Sequence, residues 1–445
     1  MRLKKIKNLT TFVKKVFILL SDSKKHLPVL FLLYLFSSIF EIFGLGLLGS
    51  FVILILDYNI NEYFIFKYIN QFTSLSFDKN SLIIINGFLI LVIFISKSIF
   101  GIAMTYYVSK FVNLKIAELR VYLLGKFFNM DYQTYLSKHS SDFIISINGH
   151  ISRYGVVLQN FIKLASDLLI FLVILIFLFF LNPSILINLI FVISSILFLY
   201  YKLYLKKLKS FGRNSNLEQK KLIKYITEGI EGLKEIRILN ISDFFLNKAE
   251  KSTSIMSANE IKLNVISSAP RYLIELLLTM FVVSSTIVAI TLDYNLQLII
   301  PTLAVFTFAS IRILPMVYQF INSYSLIIFS SDGVEKLYED YIYHSSNRIK
   351  NDLSKNIYSE QKFEKLSLVN IYFSYNKSEN YILNNINFEI NKGDSIGIIG
   401  KSGEGKTTFI DVILKLLEAD SGEIKFNNDN LENHLINWRS SIAYL

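Results

Sequence analysis

Apolar residues fill six blocks in the first three quarters of the chain, at 27–56, 82–108, 161–181, 185–205, 269–292 and 298–318. Each is long enough, as a helix, to cross the hydrocarbon core of a bilayer, which takes about 20 residues. The third and fourth blocks are separated by little more than Asn182, Pro183 and Ser184, and the fifth and sixth by 293–297, which predicts two tight turns. The stretches 109–160 and 206–268 are long, rich in Lys and Arg, and carry a helical period. They predict membrane helices that run on into water, from Lys110 to Met130 and from Lys202 onward, with each pair joined by a short crosswise turn. The candidate turns are 139–148 and 225–235. Ahead of the first block, Leu3, Ile6, Leu9, Val13, Phe17 and Leu20 form one apolar stripe, so 1–26 reads as an amphipathic helix. Past the sixth block, which with its loops closes a membrane domain over 27–330, the polar run 331–362 reads as a linker. The period then changes, because 363–375 and 386–390 alternate apolar and polar residues as strands do.

Composition supports the membrane reading. Hydrophobic residues make up 52% of the 445 and charged residues 18%, against about 25% charged in soluble domains. There is no Cys, which excludes a disulfide scaffold, a zinc ribbon and a thiol nucleophile in this sequence. The net charge of +11 is placed by membrane sidedness. Arg2, Lys4, Lys5, Lys7, Lys14, Lys15, Lys24 and Lys25 make the first helix cationic, suited to an anionic membrane surface. Lys14 and Lys15 interrupt any apolar core of a secretory signal. Positive charge marks the cytoplasmic side, so the N-terminus, both long loops and the C-terminus are expected there. No separate basic domain exists to serve nucleic acid.

Ionisable residues inside spans are costly and mark function by default. Here they are Glu41, Lys97, Asp167, Arg271 with Glu275, and Arg312. Arg271, beside Pro270, can snorkel to the interface and has Glu275 one turn away. Lys97 and Glu41 can pair across the bundle. Arg312 lies deeper, near Pro315 and without a carboxylate at helical spacing, and is the leading candidate for a substrate contact. Arg271 and Lys97 follow it.

From Gly400 the chain reads Gly400, Lys401, Ser402, Gly403, Glu404, Gly405, Lys406, Thr407, Thr408. This matches the phosphate-binding pattern G-x-x-x-x-G-K-[ST]. An apolar strand over 395–399 is expected to enter it and a helix over 408–417 to leave it. Glycines let backbone N–H groups converge on phosphate oxygens, and the helix N-terminus adds partial positive charge. Lys406 is expected on the β- and γ-phosphates of ATP and Thr407 on Mg2+.

Six spans with short outer turns, two long helical inner loops and then this P-loop resemble a half-transporter of the type I ABC exporter fold. The likeness implies a six-helix membrane domain followed by the first part of an α/β nucleotide-binding domain over 363–445. Phe373, Ser374 and Tyr375 resemble the family's aromatic loop, which implies that Tyr375 stacks on adenine. The segments 139–148 and 225–235 fall where the family's coupling helices dock. The family's glutamine loop, signature, Walker B carboxylate and switch histidine would follow Trp438–Leu445. The sequence as given is therefore expected to be C-terminally incomplete, to bind nucleotide weakly and not to hydrolyse it alone. The resemblance implies a second half-transporter as partner, because each ATP is sandwiched between two subunits.

The substrate is expected to be lipid-linked or amphipathic. Pro270, Arg271 and Tyr272, and Ile311, Arg312 and Pro315, look closest to bacterial flippases of polyprenyl-pyrophosphate-linked oligosaccharides. An exporter of drugs or of lipid A is the alternative, and a non-hydrolysing membrane partner subunit is another.

Overall fold

A computed structural model of the chain describes residues 2–55, 79–181, 183–291, 296–346, 362–375 and 380–444. Met1–Leu123 with Ser141–Tyr341 form one compact unit, and Leu124–Ser140 with Ile342–Leu445 a second.

The first unit is helical. Helix α1 (Arg2–Leu20) turns through a 3-10 segment, Ser21–His26, into α2 (Leu27–Ile55), and α3 spans Lys79–Phe128. After the short α4 (Tyr132–Leu136) come α5 (Ser140–Ile144), a π turn (Ile145–His150) and α6 (Ile151–Leu181). Then follow α7 (Pro183–Glu231), α8 (Leu233–Leu239), α9 (Ser242–Thr291) and α10 (Leu296–Ser346). The six apolar blocks fall in α2, α3, α6, α7, α9 and α10, and all of these but α2, which matches its block, run well beyond them as the charged extensions require. Leu56, Asn182 and the expected turn residues Asp293, Tyr294 and Asn295 lie outside the described residues. Among the described residues, three stretches, Thr10–Leu48, Asn80–Phe128 and Ser140–Ile176, are long and apolar enough to cross a membrane.

Four helices share one core, with Ile174 of α6, Leu208 of α7, Ile274 of α9 and Ile321 of α10 fully buried. Gly212 sets the closest approach. A Cβ there would stand 1.9 Å from the carbonyl oxygen of Phe329, so only glycine lets α7 meet α10 at that level. Asn216 Nδ2 donates to Asp332 Oδ2 at 2.7 Å on the next turn, and Tyr200 and Ser325 hydroxyls share a 2.5 Å bond further along.

Three expectations are corrected. First, 331–362 is not a linker throughout: α10 continues to Ser346, because Val334 and Leu337 extend its apolar stripe and are fully buried. Residues 347–361 lie outside the described residues. Second, the crosswise turn expected at 139–148 comes earlier, at α4. Asp131 caps α4 by accepting from the Thr134 N–H at 3.0 Å, while Ile145, Ser146, Gly149 and His150 are buried in the helical run into α6. Third, the turn expected at 225–235 comes later: α7 runs to Glu231, Gly232 interrupts it, and α8 closes at Asn240 in the left-handed region (φ 53°).

The second unit holds strands β1 (Lys365–Phe373), β2 (Leu383–Asn391), β3 (Ser421–Phe426) and β4 (Asp429–Asn430), in the antiparallel order β2-β1-β3-β4. Leu368 pairs with Phe388 on one side and Ile424 on the other. The buried face of β1, with Leu366, Leu368, Ile371 and Phe373, packs on α11 (Lys406–Ile413) and α12 (Leu435–Ser440) through Val412, Ile413 and Trp438.

Candidate nucleotide-binding site

β2 ends in a turn at Lys392 and Gly393, where the Asp394 carboxylate accepts from the Asn391 N–H at 2.7 Å. The next residues do not form the strand expected over 395–399. A strand needs a ladder, and this segment pairs with none of the described strands. Ile399 is 97% exposed.

The loop then folds as the glycine spacing demands. Gly403 and Gly405 take φ of 86° and 88°, which L side chains rarely adopt. A Cβ on Gly405 would also meet Ile382 Cγ2 at 2.7 Å. The Gly405 carbonyl accepts from the Phe409 N–H at 2.8 Å, so the loop delivers the chain directly into α11. The free N–H groups at that helix start, with the dipole behind them, form an anion site.

Two side chains fold back over the loop. Lys406 Nζ donates to the carbonyls of Gly400 at 2.8 Å and Lys401 at 2.6 Å. The Glu404 carboxylate accepts from the Lys401 N–H at 2.7 Å. Ser402 and Thr407 are exposed. Thr407 on the first turn has the hydroxyl a Mg2+ ion accompanying ATP would use, and the loop has no Cβ at the two glycines where phosphate would approach, so the residues present fit both groups.

Tyr375 is brought to this loop, though not as a free platform. It is half-buried, its ring edge-on to Phe373 with centroids 5.0 Å apart, and its hydroxyl lies 3.2 Å from Thr408 Oγ1. The segment is pinned by Asp420, whose carboxylate accepts from the Ser374 N–H at 2.7 Å and the Ser374 hydroxyl at 2.9 Å.

Sequence reasoning missed the support around α11. Trp438 Nε1 donates to the Ile413 carbonyl at 2.9 Å and Arg439 to the Lys415 carbonyl at 2.8 Å, which satisfies groups left open at the helix C-terminus. Burial raises the Asp411 carboxyl above its ordinary value. Tyr132 of α4 packs on the same core, its phenol pushed up by burial first and then by the Asp411 charge. The Asp131 cap was the available signal for α4.

Among the described side chains, the in-span candidates do not converge on one site. Lys97 Nζ lies 2.9 Å from Glu41 Oε2, with the Glu41 side chain 3% exposed. Arg271 and Glu275 are both exposed. Arg312 lies in α10, and its side chain falls outside the described residues. Asp167 lines a cavity of about 160 Å³ with Phe171, Ile190, Met316 and Phe320, and its Oδ2 is buried with no hydrogen-bond partner.

Two family models match the chain, "ABC transporter transmembrane region" over residues 27–316 and "ABC transporter" over 383–445. The chain is 56% identical over 41 residues to the lipoprotein-releasing system ATP-binding protein LolD of Buchnera aphidicola, covering 9% of this chain and 18% of that one. It is 39% identical over 59 residues to the ergothioneine transport ATP-binding protein EgtV of Helicobacter pylori, 13% and 27% of the two chains. An ATP-dependent lipid A-core flippase of Wigglesworthia glossinidia brevipalpis is 40% identical over 58 residues, 13% and 10%. The chain thus spans at most 27% of the length of these relatives.

Proposed function

Because this chain belongs to the ABC transporter family, with the transmembrane region and an ATP-binding domain in one polypeptide, we propose that it is half of an ATP-driven exporter or flippase. Its substrate is an amphipathic, lipid-type molecule, carried across the bacterial cytoplasmic membrane by alternating access through six spans. The observation that carries this reading is the loop at the start of α11, where Lys406, two left-handed glycines and a helix N-terminus converge in a chain that has, among its described residues, three stretches long and apolar enough to cross a membrane. The similarity to a protein named as a lipid A-core flippase supports a lipid-type substrate.

ATP with Mg2+ supplies the free energy. On the protein side, Lys406 would exchange the carbonyls of Gly400 and Lys401 for phosphate oxygens, Thr407 would hold the metal through its hydroxyl, and Tyr375, now against the Thr408 hydroxyl, would take the base. Nucleotide drives the cycle to the extent that it binds the closed state more tightly than the open one. A second half-transporter completes the assembly. The tip of the α7–α8–α9 hairpin is apolar and uncovered, with Ile230 70% and Ile238 72% exposed, as a docking surface for that partner requires.

Within the substrate class, a polyprenyl-pyrophosphate-linked oligosaccharide is the best reading, with Arg312 meeting the pyrophosphate. The test is transport in membrane vesicles by the complete, assembled transporter. Lys406→Ala should abolish ATP-dependent movement and ATP photolabelling with membrane insertion intact; retained transport overturns the assignment. Arg312→Ala should weaken stimulation by a pyrophosphate-bearing lipid about tenfold or more, the loss of a charge-assisted contact, with basal turnover kept. Equal loss of both removes Arg312 from the substrate path.

A further inference from the structure

A cavity of about 270 Å³ lies under the N-terminal helix, open on one side. Its walls come from three helices: Val13 and Phe17 of α1, Leu30 and Phe31 of α2, and Phe161 and Ala165 of α6. Tyr34 is the one polar residue among those lining it. Water would find too few partners there, since an ordered buried water needs two to four polar groups. An alkyl chain needs none.

The surroundings specify what that chain is attached to. Lys24 and Lys25 lie exposed in the 3-10 turn joining two wall residues, Leu20 and Leu27, and Lys14, next to Val13, is exposed as well. Asp22 is the one carboxylate in that turn. Phe17 and Ile18 of α1 are about two-fifths exposed, as on a helix resting in a bilayer interface. Apolar walls flanked in the chain by exposed lysines match a molecule with an alkyl tail and an anionic head at the depth where the leaflet carries both.

We propose that this cavity binds an anionic glycerophospholipid of the bilayer, one acyl chain between α1, α2 and α6 and the phosphate on Lys14, Lys24 and Lys25. The lipid fills the seam between the interfacial helix and the two apolar helices, so α1 is held in place by membrane composition as well as by its own stripe. The site rests on the membrane reading of the chain and is independent of ATP turnover.

The experiment uses the full chain in phosphatidylcholine vesicles doped with a phosphatidylglycerol that carries a photoreactive diazirine on one acyl chain, with labelled peptides mapped after irradiation. Labels are expected within 13–34 and 158–169, and should be competed by unlabelled phosphatidylglycerol but not by phosphatidylcholine. Ala165→Phe, which fills the cavity, should lower labelling there about tenfold, the equivalent of about 1.4 kcal/mol in affinity. Gln at Lys14, Lys24 and Lys25 together should remove the preference for the anionic lipid. Equal labelling by a phosphatidylcholine probe overturns the headgroup assignment, and labelling unaffected by Ala165→Phe in a variant that still photolabels with ATP overturns the cavity. Stronger labelling by a polyprenyl phosphate probe would make this a substrate portal and also overturn the proposal. A chain that keeps the lipid site but fails to bind ATP would count against the proposed transport function alone.

Discussion

Glu404 occupies a place in the phosphate loop that the motif leaves free, and its chemistry is that of the ligand. Its carboxylate already takes the Lys401 N–H at 2.7 Å, a charge-assisted bond that a phosphate oxygen would otherwise make. Nucleotide must displace it and also tolerate its charge. Glu404→Ser is therefore expected to tighten ATP binding about three- to tenfold, in line with a charged hydrogen bond of about 1.5–3 kcal/mol partly offset by lost loop order. Titration with a fluorescent ATP analogue checks this; unchanged or weaker affinity would show that Glu404 only shapes the loop. His150 is a second residue the motif search passed over. It lies in the π turn ahead of the apolar block 161–181, 5% exposed, with neither ring nitrogen hydrogen-bonded. Burial pulls its pKa from 6.5 down to about 4, a drop that the Asp340 charge opposes; Lys336 lowers it further, Asp332 raises it and Lys220 lowers it. Because the folded value is the lower one, the unfolded chain takes up the proton first. Stability is complete above pH 6.5 and is lost as the pH falls toward 4, by up to about 3 kcal/mol. Thermal unfolding should drop between pH 7.5 and pH 5 in the native chain, and His150→Leu should flatten that dependence.

At the scale of elements, the pairing of α2 with α3 depends on polar groups placed within apolar stretches. Besides Lys97 with Glu41, Asn86 Nδ2 donates to the Ser50 hydroxyl at 2.8 Å. A partly buried pair of opposite charges contributes little net stability, yet removing one partner leaves the other charge poorly compensated in apolar surroundings. Lys97→Met or Glu41→Met alone should destabilise the chain, and the double variant should recover most of the loss. Independent, additive losses measured by unfolding in detergent would show that the two charges act separately and would return Lys97 to the list of substrate contacts. The short helices teach a different lesson. The period of 109–160 announced helix with a crossing somewhere within it, but the Asp131 cap and the burial of Ile145 and His150 decided where. Local capping chemistry was legible in the sequence. The burial that extended the following helix was not, because it arises from contacts with residues far along the chain, such as the bond from the Ser146 hydroxyl to Asp340 Oδ2 at 2.6 Å.

At the scale of the whole molecule, the prediction concerns assembly. Ile226, Ile230, Leu233, Ile238, Leu239 and Phe244 leave a large apolar surface around α8. Exposed patches of this kind mark interaction sites, and charge placed at their centre is poorly tolerated. Ile230→Glu combined with Ile238→Glu should lower the dimeric fraction in mild detergent about tenfold or more while leaving ATP photolabelling unchanged. An unaltered dimer would move the interface elsewhere. The phosphate loop belongs to one compact unit and α8 to the other, so the two substitutions leave the loop itself untouched.

The sequence by itself determined the kind of protein this is. Blocks of apolar residues longer than a bilayer is thick have few alternatives to helix, because backbone polar groups in hydrocarbon must bond within their own segment. Equally local is the motif from Gly400 to Thr408, where glycines at fixed offsets and one lysine suffice to curl a loop at a helix start. Tertiary structure alone decided which groups meet across distance: Gly212 under the Phe329 carbonyl, Lys97 on Glu41, Tyr375 against Thr408, Tyr132 on the core beside Asp411. It also decided that 395–399 stands without a ladder among the described strands and that α10 outruns its expected end. A strand requires a neighbour and a helix face requires something to bury it. Neither is written in the residues of the segment itself, and both depend on which distant elements the fold brings alongside.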